Sequence, residues 1–343
     1  MEKTAEAFVK GFLDSLSIGE MQHKDGLSVF PLRSEIKSAC DYLTLDEALG
    51  EKLLTVREIG EVTVPDIGVS NKGEKDVFIM DGEELIGAKQ NRTVNISLIV
   101  PAGEKVKIPV SCVEAGRWHR VSESFAASEH ISYAGLRRAQ KESVMDSSEK
   151  TGEFRADQGE TWDNIAEKAH LHEAPSETGA MSAIYEKESK RMAALQKAFT
   201  PEDGQIGGIF AVGKEIFGMD VFDKEDTWKK LMPKILKSYM LEILSMKKIS
   251  QKPGVKEAEE FLALARSGKL SSQKSPGKGM TVSIAGKKAA GTSLLAEGTA
   301  VHTAVFSKSG EKEKPGQNVI YNTSASDRRE RVYTLDGEDF SVY

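Results

Sequence analysis

Apolar and polar residues alternate on both sides of a short turn between Thr93 and Cys112, in the sequence TVNISLIVPAGEKVKIPVSC. Alternation with a period of two is typical of strands that bury one face. Tight turns between further strand-like runs are predicted at three dipeptides: Asp81-Gly82, Gly213-Lys214 and Glu297-Gly298. Strands joined by tight turns pair antiparallel, because parallel strands need long crossover connections. The pattern predicts an α+β protein whose antiparallel sheet is built from hairpins, with a meander over residues 77–113.

Helical periodicity marks several other segments, which predicts several helices packed on this sheet. TLDEALGEKL carries Thr44 as N-cap and Glu47 as its capping-box partner. Residues 122–160 lack clear periodicity and predict loop with broken helix, and KLSSQKSPGKG predicts a flexible loop. We expect residues 1–306 to form a single α+β domain, followed by a polar, partly disordered tail over 307–343.

Composition, net charge and cysteine count argue against several classes of protein. The 343 residues are 39% hydrophobic and 29% charged with a net charge of −6, so no overall basic field favours nucleic acid. The sequence has no secretory signal pattern and no apolar run of the ~18–20 residues that a membrane span needs. Two cysteines, Cys40 and Cys112, are too few for a disulfide framework. We expect a cytoplasmic protein with reduced thiols, without nucleic-acid or membrane partners.

The segments that resemble cofactor-binding or metal-binding motifs do not match them in full. GIFAVGKE begins like a phosphate-binding loop, but Glu215 stands where a hydroxyl residue should bind magnesium. His170 and His172 point to different helix faces, and no Cys/His spacing fits zinc, so we expect no metal and no cofactor. His302 is expected to be a hydrogen-bonded structural histidine, with a catalytic role as the alternative, and Cys112 a small buried hydrophobe.

Polar residues lie at both outer ends of the predicted hairpin. Matching the apolar faces across PAGEK sets Val100 opposite Val106, Ile96 opposite Val110 and Val94 opposite Cys112. The same register sets Arg92 opposite Glu114. Because an unpaired buried charge is costly, these two residues are predicted to form an ion pair.

Around this pair we expect a ligand-facing cluster, with Glu114 as a candidate general base. The predicted ligand-binding residues here are Lys89, Gln90, Asn91, Arg92, Asn95, Arg117 and Trp118. Such residue types suit phosphate together with a nucleobase or ribose. A structural ion pair with a polar rim is the alternative interpretation.

A second set of candidates precedes a predicted helix in FRADQGETW. Arg155 and Gln158 there could face a phosphate at the helix N-terminus. The alternative is ordinary capping by Thr161, with Asn164 behind it.

The segment GEELIGAKQNRTVNISLIVPAGEKVKIPVSCVEAGRW is similar to the signature of the ARG and rhodanese-phosphatase-superfamily associated protein domain, where ARG denotes ADP-ribosylglycohydrolase. Looser likeness in ADQGETWDNI, SETGAM and GGIFAVGKEIFGMDVF extends the resemblance from about Leu27 to Phe306. The family brings no established activity, and its name implies an association with ADP-ribose and NAD-utilising pathways.

Two hypotheses follow, and neither settles whether the protein is an enzyme. In the first, it binds or processes an ADP-ribose-like or NAD-derived nucleotide without metal. In the second, it is a non-catalytic protein–protein interaction module. The first predicts that the end of the hairpin holding Arg92 and Glu114 lines a pocket, and the second predicts a flat surface there.

Overall fold

The computed structural model describes residues 4–59, 65–246, 249, 251–308, 331–335 and 338–342. The helices of these residues are α1 Ala5–Ser15, α2 Leu45–Gly50, α3 Ala134–Thr151, α4 Gln158–Leu171, α5 Ser182–Gln196, α6 Glu225–Leu244 and α7 Val255–Arg266. The strands are β1 Ser17–Ile18, β2 Gln22–Lys24, β3 Leu27–Arg33, β4 Tyr42–Thr44, β5 Leu54–Glu58, β6 Asp66–Asn71, β7 Asp76–Ile79, β8 Glu83–Gly87, β9 Arg92–Val94, β10 Leu98–Val100, β11 Lys105–Cys112, β12 Phe125–Ile131, β13 Gly207–Val212, β14 Glu215–Phe222, β15 Lys269–Lys274, β16 Met280–Ala285, β17 Ala289–Ala296, β18 Thr299–Ser307, β19 Arg331–Leu335 and β20 Glu338–Val342. The α+β class predicted from the sequence is confirmed.

The largest sheet is antiparallel and runs in the order β1-β3-β13-β14-β18-β17-β16-β15, with β2 also paired to β3. Consecutive residues of a strand point to opposite faces, so Ile209 and Phe210 on β13 enter different cores. Helices α1 and α7 pack on the face of Ile209. Helix α6, with the buried Trp228, packs on the face of Phe210. The sheet therefore carries helices on both sides.

A second sheet has the order β12-β8-β9-β11-β6-β5, and a small one has the order β10-β7-β4. The pairing of β4 with β7 is parallel. The predicted meander over residues 77–113 is therefore wrong at its start, because β7 belongs to the small sheet. From β8 through β9 to β11 the strands do pair antiparallel in order.

The predicted hairpin between Thr93 and Cys112 is also interrupted. The chain leaves the second sheet after β9, and β10 pairs with β7 instead of β11. Two polar residues accompany this break. The Asn95 amide donates to the carbonyl of Phe154 at 3.1 Å, and the Ser97 hydroxyl donates to Asp81 at 2.9 Å. These bonds satisfy polar groups that a continuous strand would bury without partners.

The register of β9 on β11 differs by two residues from the prediction. Val94 lies opposite Val110, and Arg92 lies opposite Cys112 instead of Glu114. A shift of two residues keeps every side chain on its face, so the alternating pattern alone cannot detect it. The break after Val94 removed the turn that was used to set the register.

Several local predictions are confirmed. Thr44 and Glu47 form the capping box of α2. The turns at Gly213-Lys214 and Glu297-Gly298 close the β13–β14 and β17–β18 hairpins. Cys40 and Cys112 are both free thiols, and Cys112 is buried.

Other local predictions are wrong. The region 122–160 contains β12 and the 18-residue α3, and KLSSQKSPGKG begins with β15. Periodicity failed for α3 because two of its buried residues, Arg137 and Lys141, are charged. Helix α4 begins four residues earlier than capping by Thr161 would place it, and its cap is Asp157, whose carboxylate accepts from the Glu160 amide at 2.9 Å.

By its contacts, the chain divides into two compact units, Met1–Lys308 and Ser309–Tyr343. Most of the predicted tail lies outside the described residues; Ser307 still belongs to β18, and the described part after Lys308 is the antiparallel pair β19–β20. No helix of the described residues is long and apolar enough to cross a membrane. The same residues contain no group of three or more His, Cys, Asp or Glu placed to hold a metal ion.

Candidate functional site

Two loops meet at the end of β8, β9 and β11: residues 87–91 and residues 114–121. The buried Arg117 joins them. Its Nε donates to Glu114 Oε2 at 2.8 Å, its Nη1 to the Ala88 carbonyl at 2.9 Å and its Nη2 to Asn91 Oδ1 at 2.9 Å. A guanidinium that bonds side chains and backbone of both loops holds them in one arrangement. We call this region the paired loops.

Glu114 is the acidic centre of the paired loops. Its Oε1 accepts from the Thr178 hydroxyl at 2.8 Å, and its Oε2 accepts from the Asn91 amide at 3.1 Å as well as from Arg117. Burial raises the pKa of Glu114, but the hydrogen bonds from Arg117 and Thr178 outweigh burial and leave the pKa below its usual range. Both oxygens are occupied, and the lowered pKa weakens the basicity that a general base needs.

The ion pair predicted between Arg92 and Glu114 is not formed. Glu114 pairs with Arg117 at 2.6 Å, whereas the acidic neighbour of Arg92 is Glu58 on β5. The predicted residue types are present but with other partners, because the observed register places Arg92 opposite Cys112, two residues before Glu114.

A second carboxyl group, which the sequence analysis missed, lies on β8. Glu84 is 1% exposed; its Oε2 accepts from the Ser128 hydroxyl at 2.9 Å, and its Oε1 has no hydrogen-bond partner. Burial raises the pKa of Glu84 to about 7, and the charge of Glu114 adds to this effect while the bond from Ser128 opposes it. Two neighbouring carboxyl groups thus have their pKa values driven in opposite directions.

An irregularity in β12 lies opposite Glu84, because Ala127 pairs with Leu85 and the next pair is Ile131 with Glu83. The extra residues bring Ser128 to Glu84, and bulges often re-aim side chains in this way. His130 of the same bulge stacks on Tyr185 with ring centroids 4.3 Å apart, and its Nδ1 has no hydrogen-bond partner. Burial and the nearby Lys237 lower the pKa of His130 to about 4. Its imidazole is therefore neutral at pH 7.

Arg92 is buried with few contacts. Its Nε and Nη1 have no hydrogen-bond partner, and its Nη2 lies 4.0 Å from Glu58 Oε1. Glu58 Oε1 accepts from the backbone amide of Lys89 at 3.3 Å, and Glu58 Oε2 lies 3.8 Å from Arg120 Nη2. Glu58 therefore connects Arg92 to both paired loops.

Three of the remaining candidate site residues, Gln90, Gln158 and Asn95, use their side-chain amides to bond backbone groups. Gln90 is buried and donates to the Glu114 carbonyl at 3.1 Å. The Gln158 side-chain amide accepts from the Cys112 backbone amide and donates to the Cys112 carbonyl, each at 2.8 Å. It therefore pairs with the end of β11 as a neighbouring strand would. Asn95 bonds Phe154, as described for the break after β9. These three amides hold backbone segments in place.

Arg155 and Trp118 are the more accessible candidates. Arg155 lines a cavity of about 190 Å³ together with Asp66, Lys107 and Phe154. Trp118 is 57% exposed on the paired loops. A second cavity of about 230 Å³ lies beside α1, and neither cavity has Arg92 or Glu114 in its wall.

A separate cluster of charged residues is buried between the sheets and α3. Arg137 donates to both oxygens of Asp220 at 2.6 and 3.0 Å, and Lys141 pairs with Asp81 at 3.1 Å. His302 contacts the Ser97 hydroxyl at 2.7 Å and Asp220 at 3.3 Å.

Ser97, His302 and Asp220 have the residue types of a nucleophilic triad. The Ser97 hydroxyl, however, already donates to the Asp81 carboxylate and accepts from the Asp81 amide. Both oxygens of Asp220 are held by Arg137, and all three side chains are buried. This geometry agrees with a hydrogen-bonded structural role for His302.

The fold and the site define an α+β protein whose polar loops are fixed by a buried arginine. The sequence matches the ARG and Rhodanese-Phosphatase-superfamily-associated Protein domain over residues 15–306, and the chain belongs to this family. The family name links the chain to the ARG and rhodanese-phosphatase superfamilies. No curated protein and no solved structure matches the chain.

Proposed function

We propose that the protein binds an ADP-ribose-like or NAD-derived nucleotide on the paired loops. The observation that carries this proposal is Trp118, whose indole is exposed although the neighbouring Arg117 is locked in place. An aromatic ring on a fixed loop is suited to stack on a nucleobase with little loss of conformational freedom.

The charges around the ring suit the rest of such a ligand. Lys89 and Arg120 belong to the same paired loops and supply cations for phosphate groups. The family name supports ADP-ribose as the nucleotide class. Glu114 and Asn91 then act as the frame that positions the loops, and the ligand contacts fall to the exposed side chains.

Isothermal titration calorimetry with ADP-ribose, NAD and AMP tests the proposal. We expect binding by the wild-type protein and a loss of roughly 5- to 150-fold in affinity for Trp118→Ala, because stacking on one base contributes about 1–3 kcal/mol. Leu171→Ala is the matched control, since it removes an exposed apolar side chain on α4. Wild-type protein that binds none of the three nucleotides would overturn the proposal.

A protein–protein interaction module is the second candidate function. Two observations favour it: Val121 is 58% exposed on the same loop as Trp118, and neither cavity includes Arg92 or Glu114. Exposed aromatic and apolar residues often anchor interfaces. Under this function the Trp118→Ala, Val121→Ala double variant loses a protein partner in cross-linking experiments, and the nucleotides leave the thermal stability of the wild type unchanged.

A further inference from the structure

Arg92 makes far fewer hydrogen bonds than its burial leads one to expect. A guanidinium has five N–H donors, and a buried one normally bonds most of them. In Arg92 neither Nε nor Nη1 has a partner, and the contact of Nη2 with Glu58 is 4.0 Å, which is too long for a hydrogen bond.

The other two buried arginines have more partners than Arg92, although Arg137 Nε also lacks one. Arg137 makes two short bonds to Asp220, and Arg117 bonds a carboxylate, an amide oxygen and a backbone carbonyl. Burying a charge without such partners has a large free-energy cost. The unused donors of Arg92 therefore indicate a group that completes the site.

The charge of Arg92 is also only loosely compensated by the described residues around it. Arg92 and Arg120 both face Glu58, at 4.0 and 3.8 Å, and Glu58 Oε2 has no hydrogen-bond partner. Across β9 and β11, Arg92 faces Cys112, whose thiol pKa is raised by burial and only partly lowered by Arg92, so the thiol adds no negative charge. Arg120 has a nearer acidic partner in the exposed Glu123, at 3.5 Å, so among the described residues the loosely held carboxylate of Glu58 is left to compensate Arg92.

We propose that Arg92 and Arg120 form a phosphate-binding site, and that Glu58 occupies this site in the protein without ligand. The planar donor pairs of a guanidinium match phosphate oxygens. A ligand carrying a single carboxylate would only replace Glu58 and gain no charge compensation. A phosphate or pyrophosphate group compensates both cations, so the ligand is a phosphate ester or diphosphate.

This site deepens the proposed function, because it assigns the diphosphate part of the nucleotide to Arg92. Inorganic pyrophosphate is the probe that tests it without a nucleobase. By titration calorimetry we expect wild-type protein to bind pyrophosphate and to bind acetate much more weakly. Arg92→Met should lose roughly tenfold to a hundredfold in pyrophosphate affinity, as expected for a charge-assisted bidentate contact.

Glu58→Gln gives the sharpest result, because the two interpretations of Glu58 predict opposite outcomes. If Glu58 competes with phosphate, its neutral replacement tightens pyrophosphate binding by about tenfold. If Glu58 is only a structural partner of Arg92, the replacement destabilises the fold and leaves pyrophosphate binding no tighter. Arg57→Met removes an exposed arginine beside Glu58 on β5 and serves as the control that retains wild-type affinity.

Arg92→Lys keeps the charge but not the planar donors, and it covers the case in which Arg92→Met does not fold. We expect it to weaken pyrophosphate binding with little change in thermal stability. Equal pyrophosphate affinity in wild type and Arg92→Lys, or unchanged or weaker binding in Glu58→Gln, would overturn the phosphate site. Pyrophosphate binding without ADP-ribose, NAD or AMP binding would refute the proposed nucleotide and leave the phosphate site standing. Nucleotide binding that is unaffected by Arg92→Lys would refute the phosphate site and leave the proposed nucleotide standing.

Discussion

At the scale of single residues, Glu84 and Glu114 show how identical side chains acquire different chemistry. Glu114 is held by Arg117 and Thr178, which keeps its pKa low, whereas burial outweighs the hydrogen bonds to Glu84 and raises its pKa. The sequence placed Glu114 in the site but gave no reason to select Glu84. Its burial comes from the fold, and its hydrogen-bond donor Ser128 lies 44 residues away on a bulge that no residue pattern marks.

The raised pKa of Glu84 predicts a stability that depends on pH. Between the usual Glu pKa and about 7, the folded protein keeps a proton on Glu84 that the unfolded chain releases, so this contribution is lost as the pH rises through about 7. Glu84→Gln should match the wild type near about pH 4, below the usual Glu pKa, and exceed it by on the order of 3 kcal/mol near about pH 8.5, in denaturant unfolding.

Two comparisons make the result specific to Glu84. The lowered pKa of His130 changes stability in the opposite direction with pH, but this effect is common to both proteins and cancels in their difference. Glu123→Gln, at an exposed position, should show no difference that varies with pH. A stability difference between Glu84→Gln and wild type that is the same at both pH values would contradict the prediction.

At the scale of elements, the alternation within β11 was readable from the sequence and the partners of that strand were not. The alternation in β11 is correct, yet its first half pairs with β6 and its second half with β9. Alternation indicates which face of a strand is buried. It does not indicate which strand lies alongside, and it cannot detect a shift by two residues. Helix α3 was missed for a related reason, since two of its buried residues, Arg137 and Lys141, are charged and interrupt the apolar period.

The end of β11 depends on a side chain from α4. Gln158 accepts from the Cys112 amide and donates to the Cys112 carbonyl, so Gln158→Ala leaves two backbone groups without partners. We expect a loss of about 1–3 kcal/mol in the free energy of unfolding. We also expect faster hydrogen exchange at the Cys112 amide and faster labelling of its thiol.

The Cys112 readouts separate a local opening from a general loss of stability. Glu167→Ala changes an exposed residue of the same helix and should leave exchange at Cys112 unchanged. If Gln158→Ala lowers stability while Cys112 stays as protected as in the wild type, Gln158 does not hold the end of β11.

At the scale of the unit Met1–Lys308, the buried charges join elements that are distant in sequence. Asp81 follows β7, Arg137 and Lys141 lie on α3, and Asp220 lies on β14 of the largest sheet. The class of fold, the family and several hairpins followed from local patterns. This cluster could not, because its pairs are separated by 56 to 83 residues and each charge alone resembles a solvated one.

The cluster contains two acids, Asp81 and Asp220, and two basic partners, Arg137 and Lys141, and this balance predicts how substitutions combine. Arg137→Met removes one positive charge and leaves the buried Asp220 without its ion-pair partner. Asp220→Asn removes one negative charge and leaves Arg137 without its main partner. Each single variant should lose about 3–5 kcal/mol in the free energy of unfolding, because an uncompensated charge remains buried.

The double variant Arg137→Met, Asp220→Asn restores the balance, since Asp81 and Lys141 still pair at 3.1 Å. It should therefore be less destabilised than the sum of the single variants, with the difference measured by urea unfolding as a double-mutant cycle. The exposed pair Lys10 and Asp14, 3.6 Å apart on α1, is the control and should show little coupling. Strictly additive losses at Arg137 and Asp220 would mean that packing around these side chains, and not their charge, determines the stability of the unit.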